Sequence, residues 1–338
     1  MEKPKVFTSS KLPAAPADDT KSDRSTRRGR SVPELAALGV VLVVMIGFFS
    51  FSSPYFLRTD NLLNVLTAIA VTGILAIPAT MLLIAGQVDL SVGSGAAFAG
   101  VVFAVVVADH GVPVAVLAAV GVGLAAGLVN GFLVTVVGIN SLITTLGTLA
   151  VLRGATRLLT DGQTAIVSDF TFLGTARPIL GIPLPVIIFV ALAVVSLLVM
   201  RYTVFGRSLY AIGANPVAAR LVAIRTGLIL LITFVLSGLA MGLGGLILTS
   251  QLSSASPNAA LGLELTVVTA IVLGGASLSG GRGTITGTIV GLLIIGVMNN
   301  GLVLMNVNSF WQDVARGILL ILAVSFDRLR ERINARQG

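Results

Sequence analysis

Cysteine is absent from the 338 residues, histidine occurs once, as His110, and no lysine follows Lys21. Each absence closes a class of chemistry. Without thiols there is no disulfide framework and no thiolate metal centre, and a single imidazole cannot build a histidine-rich metal site. A G-x-x-x-x-G-K-[ST] phosphate loop needs a lysine that the chain does not place, so the chain is not itself a P-loop ATPase, and any nucleotide energy enters through another subunit. No Ser-His, Cys-His or metal constellation supplies a partnered nucleophile or base, which argues against a membrane-embedded enzyme built on Asp89 or Glu264. Charge is scarce as well: Asp, Glu, Lys and Arg make up 11% of the sequence, against roughly 25% in soluble globular domains.

What fills the chain is apolar, with hydrophobic residues at 55% and a mean hydropathy of +1.01. A bilayer core takes about 20 apolar residues per helix. Stretches of that kind fall near 35–51, 62–86, 93–109, 113–137, 141–160 and 183–201, then 226–250, 262–277, 284–305 and 310–326. The expectation is an all-α polytopic membrane protein with about ten transmembrane helices in residues 32–328, embedded in a lipid bilayer. A basic tail, 1–31, without apolar periodicity reads as disordered, and a short basic tail occupies 329–338. No A-x-A cleavage site follows the first apolar run, which is therefore kept as a span. The 262–277 segment is short enough for a broken or re-entrant helix.

The formal charge of +8 would suggest nucleic acid in a soluble protein, but the basic residues flank the apolar runs: sixteen of the 22 lie in 1–30, 201–225 and 328–336. The positive-inside rule places all three segments in the cytoplasm, both termini included. Six spans before 201–225 and four after it satisfy that sidedness. Residues 161–182 then form the longest extracytoplasmic loop, a place to meet an external partner.

Many of the 38 glycines fall within the spans, as in Gly121–Gly127 and Gly238–Gly245, where small residues let helix backbones approach closely. Leu90–Gly95 and Leu278–Gly283 share the pattern L-S-x-G-x-G, a faint internal repeat of the sort that flanks the pathway in transporters. Polar residues in or beside the spans are the pathway candidates: Asp89, Ser91, Asn130, Thr145, Thr148, Arg153, Gln251 and Glu264. For Asp89 two readings stand, a gate on the pathway or a cap accepting N–H bonds near Ser91; the topology puts residues 87–92 near the cytoplasmic face. Helix-to-helix hydrogen bonding would account for the others as well as a weakly polar pathway lining would. Arg153, Arg157 and Asp161, spaced by four, suggest a polar stripe at the outer end of one span.

The most informative stretch outside the spans is 205–225. Asn215 suits a helix N-cap, Pro216 the first helical position, and Arg220 and Arg225 the C-terminal end. Val217, Leu221 and Ile224 recur at helical spacing, while Ala218 and Ala219 keep the surface shallow, as a helix docking into another protein's groove would need. An amphipathic connector lying on the headgroups is the plainer alternative. The run Gly-Arg-Ser-Leu-Tyr-Ala-Ile-Gly-Ala-Asn-Pro-Val-Ala-Ala-Arg, 206–220, closely resembles the cytoplasmic loop of the ribose, xylose and arabinose ABC permeases, within the larger group that includes branched-chain amino-acid permeases. The resemblance extends over about 60–328 through Gly86-Gln-Val-Asp-Leu-Ser-Val-Gly93, Gly127-Leu-Val-Asn-Gly131, Thr145-Leu-Gly-Thr148 with Arg153-Gly154, Asp161-Gly-Gln163, and 272–283. The long basic N-terminal tail departs from it.

That resemblance implies a type II importer-like permease fold in the bacterial cytoplasmic membrane. It implies cytoplasmic ATPase subunits contacting Gly206, Arg207, Gly213, Asn215, Pro216, Ala218, Ala219 and Arg220, an extracytoplasmic solute-binding protein, and a permease homodimer. The function expected is ATP-driven import of a monosaccharide, with no cofactor, no metal and no nucleic acid. An ion-coupled secondary carrier would need buried mid-span acids, for which Glu264 and Asp89 are the candidates; a permease for a branched-chain amino acid is the other alternative.

Overall fold

The structure is a computed structural model that describes residues 31–335; residues 1–30, most of the tail expected to be disordered, lie outside the described residues. In chain order the helices are α1 (Ser31–Ser52), α2 (Thr59–Ile84), α3 (Val92–Phe132, continued by a π turn to Val137), α4 (Ser141–Leu159), α5 (Phe172–Thr175), α6 (Leu184–Tyr202), α7 (Val204–Ala214), α8 (Pro216–Leu221), α9 (Thr226–Leu252), α10 (Leu263–Leu273), α11 (Ile285–Leu304) and α12 (Ser309–Ala335). Two short strands, β1 (Ala165–Ile166) and β2 (Ser254–Ala255), pair antiparallel. Among the described residues, seven helical stretches are long and apolar enough to cross a membrane. The chain is thus a polytopic helical membrane protein, and it reaches that state with fewer uninterrupted spans than ten apolar runs suggest.

Two differences account for this. The runs at 93–109 and 113–137 form one helical stretch of 46 residues, about 70 Å if straight and over twice the ~30 Å hydrocarbon core. It is not straight: Gly111 leaves helical geometry at φ 74, ψ 170, and the two arms fold back on each other. Gly95 and Gly100 meet Met241 and Gly245, whereas Gly123 and Gly127 meet Gly238 and Phe234. One arm therefore runs parallel to α9 and the other antiparallel. The second difference is α10, whose 11 residues span about 16 Å. The short 262–277 segment is accordingly half a crossing, preceded by irregular chain.

The α3–α9 seam is built by absence of side chains. A Cβ on Gly123 would strike the carbonyl of Gly238, and one on Gly238 the carbonyl of Gly123. In lipid there is no hydrophobic gain in bringing two apolar helices together, so close backbone approach and the dispersion contacts it allows provide the adhesion. The axial helix is α2, which packs against α6, α9, α10 and α11 and buries every residue from Ile69 to Ile84. Gly73 leaves the space that the Phe189 ring of α6 occupies. At the edge, α1 docks on α11 through Phe49, seated on Gly301 beside Phe56 and Val297. Outward faces stay apolar, as at Val43, Leu117, Val151 and Leu158, which is the surface a bilayer covers.

Candidate functional site

Two breaks in the bundle and the α7–α8 segment meet at one end. The first break, 85–91, joins α2 to α3, and the second, 274–284, joins α10 to α11. Gly86, at φ 76, turns the first back into the protein. Asp89 is consequently not at an interface, as the sequence topology has it, but 3% exposed and bonded to Ser237, near the midpoint of α9. Its Oδ1 accepts the Ser91 N–H (3.0 Å) and hydroxyl (2.6 Å), and its Oδ2 accepts the Ser237 hydroxyl (2.7 Å). Ser91 Oγ accepts from Asn130 Nδ2 at 2.9 Å, and Asn130 Oδ1 accepts the Thr148 hydroxyl at 2.6 Å. From α4, Thr145 accepts the Leu90 N–H at 3.1 Å and Ser141 the Val88 N–H at 3.2 Å.

Five of the sequence candidates, Asp89, Ser91, Asn130, Thr145 and Thr148, thereby form one buried network. It satisfies backbone N–H groups that an extended segment inside apolar surroundings would otherwise leave bare. Four partly polar elements, the break, the second arm of α3, α4 and α9, are tied together at Asp89.

Arg153 stands on α4 and is 7% exposed. Its Nη1 donates to the carbonyls of Pro257 (3.0 Å) and Ala259 (2.9 Å), gripping the chain that leads into α10. Arg157 reaches Asn258 Oδ1 at 3.5 Å. Asp161 lies past the helix end at φ 48, so the expected polar stripe stops at Arg157. Glu264, in the first turn of α10, presses its carboxylate onto Gly93 at the start of α3, where a Cβ would also meet the Ala260 carbonyl at 2.8 Å. Arg153 Nη2, Glu264 Oε2 and Gln251 Nε2 are buried without a hydrogen-bond partner. These three sit apart from the Asp89 network.

The sequence reading passed over one cavity, mainly apolar and carrying a few neutral polar groups. About 300 Å³ lies between α2, α10 and α11, walled by Val65, Ile69, Leu292 and Ile295 and carrying the neutral groups of Asn64, Thr72, Thr266, Asn299 and Asn300. Asn299 Oδ1 is buried and unpartnered, while Asn61 and Asn300 exchange amide hydrogen bonds of 2.9 and 2.8 Å. The available signal was the Asn299-Asn300 doublet inside an apolar run.

In the α7–α8 segment, Asn215 caps α8 as its sequence predicts, its Oδ1 accepting the N–H groups of Val217 and Ala218 at 3.0 Å each, and Pro216 takes the first helical position. The helix ends sooner than the apolar spacing suggests: Ala223 adopts φ 61, and Ile224 turns in against the core. The outward surface therefore consists of Val217, Ala218, Arg220, Leu221 and Val222, with Leu221 83% exposed, and Arg207 is exposed on α7. Gly206, Gly213 and Ala219 turn the other way. Gly206 lies on the Met200 backbone and Gly213 on the Ile84 carbonyl. Tyr210 donates its hydroxyl to the Gly283 carbonyl at 2.9 Å, and burial pushes that phenol above its ordinary pKa, keeping it a donor.

Residues 61–324 match the family described as the permease component of the branched-chain amino acid transport system. The chain is 38% identical over 299 residues to the ribose import permease protein RbsC of Escherichia coli (strain K12), covering 86% of this chain and 93% of that protein. It is 40% identical over 295 residues to the protein of the same name from Bacillus subtilis (strain 168), covering 86% and 91%. To the L-arabinose ABC transporter permease protein AraH of Azospirillum brasilense it is 37% identical over 320 residues, 94% of each. No solved structure matches the chain.

Proposed function

The chain belongs to the family of branched-chain amino acid transport system permease components, and we propose that it is the membrane-spanning permease subunit of an ATP-driven ABC importer for a monosaccharide. Relatives named for ribose and arabinose, both pentoses, that align with 86–94% of the chain support a monosaccharide as cargo. The permease is not the catalyst of ATP hydrolysis, which belongs to separate cytoplasmic subunits. It crosses the bacterial cytoplasmic membrane ten times, through α1, α2, the two arms of α3, α4, α6, α9, the half-crossing α10 completed by the 274–284 break, α11 and α12. Both termini and the α7–α8 segment face the cytoplasm. Two copies enclose the path, and an extracytoplasmic binding protein delivers the sugar at the end that carries 161–183.

The observation that carries this reading is the α8 surface. A capped helix that points Val217, Ala218 and Leu221 away from the protein, on a segment that is otherwise anchored inward, fits the groove of a partner. ATP-driven closure of that partner would push α8 and shift the balance between outward- and inward-open states. The sugar has many hydroxyls and no charge, and the neutral amides and threonines of the α2–α10–α11 cavity suit transient contact with it.

The test is detergent co-purification of tagged permease with its ATPase, comparing wild type with Ala218→Trp, followed by uptake of pentoses and hexoses into proteoliposomes containing the binding protein. The exposed site of Ala218 lets the indole be added without disturbing the bundle. ATPase retention by wild type and its loss in the variant are the expected result. Equal retention by both proteins would overturn the docking role of α8.

A further inference from the structure

The end of α2, the second break and the C-terminal end of α7 meet backbone against backbone, with the Tyr210–Gly283 hydrogen bond beside the contact. Gly281 N donates to the Ile84 carbonyl at 2.7 Å, joining the second break to the last turn of α2. A Cβ on Gly280 would stand 2.8 Å from Gly86 Cα, 2.9 Å from Gly86 N and 3.2 Å from the Gly213 carbonyl. A Cβ on Gly213 would collide with the Ile84 carbonyl and reach Gly281 N at 2.5 Å, and one on Gly281 would meet Ala214 at 3.2 Å. Gly86, Gly280 and Gly281 have φ of 76, 83 and 75°, a conformation L side chains avoid. Gly213 itself is helical, so its lack of a side chain answers to the close approach and not to its own backbone.

We propose that Gly213, packed on the Ile84 carbonyl, Gly280 and Gly281 and pinned by the Tyr210–Gly283 bond, is the joint that transmits movement of α8 to both helix breaks at once. Side chains between two elements absorb displacement by changing rotamer; backbone on backbone has no such slack. A push on α8 passes through Asn215 and Ala214 to Gly213. There it divides. One branch runs through Ile84 and Gly86 into the 85–91 break, whose far end is the Asp89 network on α9. The other runs through Gly280 and Gly281 into the 274–284 break, and so to α10, whose opposite end Arg153 holds. Both half-inserted segments move together, as alternating access requires of parts on opposite sides of one path. Gly213 and Tyr210 act as positioning residues in this scheme, inward-facing neighbours of a surface that contacts the ATPase. The proposal rests on the reading of α8 as the ATPase contact.

The experiment measures sugar taken up per ATP hydrolysed, in proteoliposomes holding the full complex with its binding protein, for Gly213→Ala, Tyr210→Phe and the control Gly227→Ala. A Cβ at Gly227 meets only Thr135, at 3.9 Å. The joint predicts that all three retain the ATPase on co-purification and hydrolyse ATP. Sugar per ATP falls by about tenfold or more in Gly213→Ala, where α7 is forced off the breaks. It falls by about fivefold in Tyr210→Phe, which loses one hydrogen bond and adds no bulk, and is unchanged in Gly227→Ala. Should Gly213→Ala fail to assemble, Tyr210→Phe decides. An unchanged ratio in Tyr210→Phe and in an assembled Gly213→Ala overturns the joint, as does loss of ATPase retention in Tyr210→Phe, which would make the contact a support for docking only. If instead Ala218→Trp keeps its ATPase and transports, the α8 reading has failed, an outcome distinct from failure of the joint.

Discussion

The roles open to Asp89 separate when its charge is removed without its hydrogen bonds. In Asp89→Asn, the amide oxygen retains the Ser91 N–H and hydroxyl as donors, and the amide nitrogen faces Ser237 Oγ, which rotates to accept. Charge-assisted bonds become neutral ones, at a cost of about 1 kcal/mol. Asp89→Ala removes the acceptor of three buried bonds at a site only 3% exposed. Taking about 0.6 kcal/mol per bond inside membrane proteins as the floor and about 1.5 for a charged acceptor as the ceiling, the loss is about 2–5 kcal/mol. The assay pairs thermal unfolding of the purified protein in detergent with uptake by the reconstituted complex. A capping carboxylate predicts near wild-type stability and uptake in the Asn variant, and lowered unfolding temperature with lost uptake in the Ala variant. Abolished uptake in Asp89→Asn at unchanged unfolding temperature would refute the capping argument and make the charge itself the gate.

Arg153→Lys keeps the charge but replaces the rigid planar guanidinium, whose Nη1 holds two carbonyls, with a shorter and more flexible ammonium. The 253–262 chain should loosen, costing about 1–2 kcal/mol, and limited proteolysis should cut there faster than in wild type. Gly238→Val places a branched side chain against the Gly123 carbonyl in the α3–α9 seam. It should destabilise by about 3 kcal/mol or more, read as a fall in unfolding temperature and in the amount of folded protein recovered.

Helical stretches were legible because hydropathy is a local property, as at Leu35–Ser52, but their number was not, since two runs lie in the one stretch Val92–Val137. The α8 cap was legible for the same reason, since Asn215 bonds to groups only two and three residues away. What periodicity could not disclose was depth. Residues 85–91 look like a connector between two spans and so fall at a membrane face in any counting of crossings. The turn at Gly86 and partners at Ser141, Thr145, Asn130 and Ser237 draw the segment inside. Those partners lie 39 to 148 residues from the groups they bind, and no local pattern marks them. The α2–α10–α11 cavity escaped for a related reason, since its amides come from two helices far apart in the chain and each looks isolated on its own.

The glycines were read as packing residues before functional ones, and for Gly123 and Gly238 the geometry asks for nothing more. The repeated L-S-x-G-x-G pattern is a subtler case. Both copies sit at a helix break, yet they are not structurally equivalent. In Leu90–Gly95 the chain is already helical from Val92, whereas Leu278–Gly283 lies wholly within the second break. The residue that meets Gly280 is Gly86, outside the first copy of the pattern. What recurs is therefore the arrangement of helix, irregular segment and helix, twice over, and the two irregular segments touch where α7 reaches them. A signal made of absent side chains on three distant segments has no periodicity and no composition of its own. It becomes visible only when the backbones are side by side, which is why the loop's inward glycines read from sequence as part of the same surface as Ala218, and from structure as its opposite face.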